Sequence, residues 1–148
     1  MKRFRFSLDS VLTLRKFRKS EKAAELSVAM RRRMVLEERL GRCHAALGEM
    51  EERLRGTLSQ SVRVQEVLLV QDALRVRREE LATLRQSALE SLEKENRARE
   101  AVKAAQQECE ALLKLEESQR ERARKEAEKE DEKAMEEFVM ARKAVLEG

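Results

Sequence analysis

RGTLSQSV, residues 55–62, is the stretch on which the fold turns. Gly56 accepts the left-handed conformation that ends a helix. Thr57 with Gln60 three residues on has capping-box spacing, and Ser59 or Ser61 offers an alternative cap. Nowhere else in the 148 residues do stop and start signals coincide, and the chain has no proline and only four glycines. Gly41 and Gly48 lack adjacent caps and read as close-packing positions inside a helix, each weakening it by up to about 1 kcal/mol relative to alanine.

On either side of this break the sequence is built for long helices. Charged residues make up 42 % of the chain, and Ala, Glu, Lys, Leu and Arg dominate. That bias is typical of coiled coils. A net charge of only +4 with a 41 % apolar share weighs against disorder. Before the break, apolar residues recur at alternating spacings of three and four: Leu26, Ala29, Leu36, Leu40, Cys43, Leu47, Met50, Leu54. Arg33 is the one charged interruption. After it the stripe runs Val67, Val70, Leu74, Leu81, Leu84, Ala88, then Ala98, Val102, Ala105, Cys109, Leu112. Such spacing places one apolar stripe along each helix.

The expected fold is therefore all-α: two long helices in an antiparallel coiled-coil hairpin, one unit over residues 1–148. Helix 1 is expected over about 7–56, a loop over about 57–61 and helix 2 over about 62–146. A parallel dimer of uninterrupted helices is the alternative. Folding about residue 60 sets Leu8 opposite roughly residue 111 and leaves the second helix overhanging at the C-terminus, about 33 residues or 50 Å beyond Leu115. Residues 116–133 of this overhang contain 14 charged residues of 18. Pairs Glu117/Arg120, Glu121/Arg124, Glu126/Lys129 and Glu130/Lys133 have the spacing that supports a solvated helix. Ala134, Phe138, Ala141 and Val145 then restore one apolar face.

Catalysis has little to stand on. The single histidine, His44, adjoins Cys43, and neighbouring helix residues point about 100° apart, so they form neither a metal site nor a nucleophile–base pair. Glycine-rich phosphate loops and Cys/His clusters are missing from the sequence. We expect no enzyme, no cofactor, no metal and no small-molecule substrate. Cys43 and Cys109 read as small core residues in a reducing compartment. No apolar run approaches the roughly 20 residues of a membrane span. The basic start lacks the uninterrupted apolar core of a signal peptide, since Asp9, Ser10 and Thr13 break it. A cytoplasmic protein is expected, with a mitochondrial transit segment as the alternative.

The first residues, MKRFRFSLDSVLTLRKFRK, hold three of the four phenylalanines. Ser7 suits an N-cap, Asp9 favours the helix dipole, and Phe6 with Val11 has hydrophobic-staple spacing. Phe4 precedes the helix and has no such account. Leu8, Val11, Leu12, Leu14 and Phe17 spread over an arc of about 220°, more than one partner helix covers. Uncovered apolar surface marks an interaction site. Residues 1–35 carry eleven Lys/Arg against three Asp/Glu, a net +8. Nucleic acid, through Arg31, Arg32, Arg33 and the terminal cluster, is one target for such charge. The rings are too few for a base-stacking platform, which favours a protein partner. A generic helical scaffold is the third reading.

The opening F-x-F-x-L-x-x-V-L-x-x-R (Phe4, Phe6, Leu8, Val11, Leu12, Arg15), followed by Glu21, resembles FliJ, a component of flagellar type III export. DEKAMEEF, with Asp131, Lys133, Met135, Glu137 and Phe138, is similar to the tail of that family. The resemblance covers both ends and the length; the middle matches as heptads. It implies a non-enzymatic stalk, like that of rotary ATP synthases, whose terminal end enters a hexameric export ATPase and helps the ring assemble. It also implies contacts with the membrane export gate and with export chaperones, and a peripheral place at the inner membrane. On this resemblance Phe4, Leu8, Val11, Leu12, Leu14, Arg15, Phe17, Met135 and Phe138 meet the ATPase. Val67, Val70, Ala73 and Arg77 match the gate-contacting stretch, which lacks aromatics here. The virulence secretion counterpart has the same shape.

Overall fold

The computed structural model describes residues 3–60 and 63–148. Two helices form the fold, α1 (Asp9–Leu58) and α2 (Val64–Glu147), and the described residues contain no strand. The cross-helix partners run in opposite senses: Arg33 meets Glu95, while Glu51 meets Arg78 farther along α1. The hairpin is antiparallel, and the parallel dimer of uninterrupted helices is ruled out.

Local chemistry at the break differs from expectation. α1 continues through Gly56, and no described residue has positive φ. The left-handed glycine cap is absent. The hydroxyls serve the end of α1 instead of the start of α2. Thr57 Oγ1 donates to the carbonyl of Arg53 at 2.7 Å, and Ser59 Oγ donates to that of Gly56 at 2.7 Å. Gly56 lies among the last four residues of α1, whose carbonyls lack intrahelical partners. Neither hydroxyl accepts from a described amide at the start of α2. At the start of α2, the carbonyl of Arg63 accepts from the amide of Val67. Ser61 and Val62 lie outside the described residues.

The chain divides into two compact units, Glu21–Lys103 and Met1–Ser20 with Ala104–Gly148. In the first of these the expected seam is the buried one. Leu47, Leu74 and Leu81 form its buried cluster, with Leu40, Cys43, Met50, Leu54 and Val70 packed against it. Gly41 and Gly48 are exposed, and a Cβ on either would meet nothing within 4 Å. They are not close-packing positions.

One polar insertion interrupts this seam. Ser91 and Glu95 are buried, Glu95 to 2 % exposure, in the gap between Ala88 and Ala98. Arg33, the interruption in α1, reaches across and donates through Nε to Glu95. Arg99 Nη2 donates to the other carboxylate oxygen at 2.9 Å, and Arg33 also holds Glu37 at 2.9 Å. The buried carboxylate thus has two guanidinium partners, the condition under which a buried charge is tolerated. His44 is exposed.

Candidate partner-binding surface

The second unit is built on an aromatic core at the start of the chain. Ser7 and Leu8 form a turn in which the amide of Asp9 donates to the carbonyl of Phe6. The carbonyl of Leu8 accepts the first helical bond, from Leu12 at 2.8 Å. The capping position therefore falls at Leu8, one residue beyond Ser7. Phe6 is not a local staple; it packs with Leu12 and Cys109 in a buried cluster. Leu12 is 3 % exposed and Cys109 2 %.

Phe4 has a structural role after all. It is half-buried against the same cluster beside Leu112, and the Arg120 guanidinium lies 5.2 Å from its ring centroid. A cation over a ring face is held by the ring's quadrupole. Contact with the first residues consequently reaches farther along α2 than the expected limit near Leu115: Glu116, Gln119 and Ala123 remain half-buried. Residues 3–8 are not helical, and a chain outside a helix advances more than the 1.5 Å per residue assumed for the whole segment. Beyond Ala123 every residue is exposed. Of the pairs expected there, Glu121 with Arg124 forms at 2.6 Å, and its carboxyl is held below the ordinary range by that guanidinium. Arg120 chooses Glu116, at 3.3 Å, over Glu117.

The wide arc is split by this packing. Leu12 is consumed in the core, while Leu8 and Val11 lie at its margin, each 37 % exposed. Leu14 and Phe17 stand outward at 51 % and 66 %. Arg15 crosses to Glu108 at 2.6 Å and borders the patch. The unit therefore presents an apolar strip flanked by Lys16, Arg18 and Lys19, all exposed. Met135 and Phe138, each 65 % exposed, belong to the same unit but stand on the free part of α2, about 22 Å along the helix from Arg120. Val139, Val145 and Leu146 extend their apolar face. The structure therefore groups Leu8, Val11, Leu14 and Phe17 and sets Met135 and Phe138 apart from them. In the other unit Val67 and Val70 are half-buried, whereas Ala73 and Arg77 are exposed, with Arg77 bonded to Glu80 at 3.1 Å.

Two features escaped sequence reasoning. The Phe4–Arg120 contact depends on how far a non-helical segment reaches, which heptad spacing does not encode. Glu95 left a signal: residues 88, 91, 95 and 98 keep the 3–4–3 spacing, so a polar residue there lies inside the seam. Among the described residues no group of three or more His, Cys, Asp or Glu is placed to hold a metal ion, and no helix is long and apolar enough to cross a membrane.

Fold and surface together define a two-helix coiled-coil hairpin whose terminal unit leaves apolar side chains uncovered. The family model described as flagellar FliJ protein matches residues 4–144, nearly the whole chain. The chain belongs to the FliJ family, which associates it with the flagellar type III export apparatus. Searches of curated proteins and of solved structures found no match.

Proposed function

We propose that this protein is a central-stalk component of the flagellar export apparatus, binding the hexameric export ATPase through its terminal unit and promoting ring assembly and activity. The observation that carries the reading is the uncovered strip Leu8, Val11, Leu14 and Phe17 beside basic side chains. Exposed apolar residues that the hairpin does not use are available to a partner. Phe4 and Leu12 act by holding that strip in place, and Arg15 borders it. Met135 and Phe138 supply a second contact on the free part of α2. Val67, Val70, Ala73 and Arg77 are proposed to meet the export gate, and export chaperones complete the partner set. On this reading the protein works in the cytoplasm, peripheral to the inner membrane. The family description favours the flagellar system over its virulence counterpart.

The test is the hydrolysis rate of the partner export ATPase with and without this chain. Wild type raises the rate. Leu14→Asp with Phe17→Asp removes the stimulation while leaving helicity by circular dichroism unchanged, because both side chains already face water. A helical double variant that stimulates as fully as wild type defeats the assignment.

A further inference from the structure

In the unit Glu21–Lys103, on a part of the surface that the export reading does not use, a groove of about 510 Å³ runs between the helices. Leu36 and Ser91, half-buried and buried, lie deepest in it, and Val35 and Ser87 form its walls. The two serines of α2 are small, and across from them α1 presents Val35, 48 % exposed. Arg31, Arg32 and Lys94 stand around the opening, all exposed, and Glu90 is the one acid among them. Some cations of this unit, such as Arg33, Arg77 and Arg99, are tied to carboxylates. Among the described residues Arg31, Arg32 and Lys94 have none within ion-pair distance.

We infer that this groove docks an acidic amphipathic helix of a partner protein, which lays aliphatic side chains over Val35 and Leu36 and sets carboxylates against Arg31, Arg32 and Lys94. Three like charges around one opening repel one another and gain when an anion arrives. The apolar interior strengthens each such contact by excluding water. A helix fits better than an extended strand because the groove is bounded by helices, whose side-chain ridges accept a third helix at ordinary packing distance. Its contacts would repeat at three and four residues, as in other helix-in-groove complexes. Nucleic acid would satisfy the cations but has no use for Val35, and the unit adds no exposed aromatic on which bases stack.

Fluorescence anisotropy with the full chain tests this. The probe is a labelled synthetic helix of about five turns with a leucine stripe flanked by glutamates, and its twin carries lysines in their place. The acidic helix is expected to bind, more weakly at high salt, and the basic twin is not. Val35→Asp weakens binding by about tenfold or more, as does the triple variant Arg31→Glu, Arg32→Glu, Lys94→Glu. The triple variant, checked for helicity, gains affinity for the basic twin; this reciprocal exchange cannot come from misfolding. The inference is overturned if the acidic helix does not bind, if the two helices bind alike, or if the variants change nothing. It is equally overturned if duplex RNA binds through the three cations with no effect of Val35→Asp. Self-association lost in the triple variant, with no binding of the acidic helix, would assign the groove to a second copy and reject the proposal.

Discussion

Glu95 sits where two opposing effects can be weighed. Burial raises the cost of its charge, while hydrogen bonds and attraction from Arg33 and Arg99 lower it, and the guanidiniums win: the carboxyl is held below its ordinary value of 4.5. A carboxyl depressed on folding contributes stability that is present above the unfolded value and is lost as pH falls through the folded one. Glu95→Gln should therefore flatten part of the acid limb. Between about pH 6 and about pH 3 its melting temperature falls less than that of wild type, measured by circular dichroism. Arg33→Leu alone should lower the midpoint, because it leaves the buried carboxylate with Arg99 as its one cationic partner; adding Glu95→Leu should recover it to wild type or above. At this scale the sequence was partly legible. Arg33 was visible as an interruption because its position in the stripe is apolar elsewhere. Its partner was not, because pairing across the hairpin depends on an alignment that no local pattern states.

Along each helix, periodicity was the readable quantity and chain ends were not. The seam from Leu26 to Leu54 and from Val67 to Leu112 is the buried stripe because every third or fourth side chain must share a face. Glycine and hydroxyl signals were ambiguous because the same groups serve either side of a turn; Gly56 permits an ending without requiring one. Gly41 and Gly48 now carry an expectation of their own. With open space at both Cβ positions, Gly41→Ala and Gly48→Ala should each stabilise α1 by about 0.5–1 kcal/mol. For a chain of this size that is a rise of a few degrees in melting temperature, read by thermal denaturation. α2 has the contrasting feature. Residues 124–147, about 36 Å of helix, are all exposed, whereas residues around Cys109 lie against Phe6 and Leu12. Hydrogen exchange by mass spectrometry should find the free part exchanging faster than 105–112 by orders of magnitude, since opening it breaks no packed contact.

For the molecule as a whole, the two-helix hairpin and the family were within reach of the sequence, because spacing, a single break and two terminal motifs all point the same way. The partner-facing residues were harder to sort. Leu12 and Leu14 look alike in a motif, yet one is spent in the core and the other is free. That division supplies a molecular-scale expectation. Leu12→Asp should cost both thermal stability and ATPase stimulation, whereas Phe17→Asp should cost stimulation alone, measured by melting and hydrolysis assays on the same preparations. Equal melting temperatures for the two variants would contradict the placement of Leu12.

A heptad pattern is a ladder of near-identical rungs, and nothing in the leucines themselves forbids a misstep. The salt link in the middle forbids it. If one helix slipped by a full repeat, Arg33 would come to rest against Ala88 or Val102, and Glu95 against Leu26 or Leu40. Either slip parts the two charges and sets each against hydrocarbon, leaving Arg33 only Glu37 and Glu95 only Arg99 on their own helices, a cost that opposes the slip. The one polar flaw in the stripe is thereby the notch that leaves the ladder a single way to close.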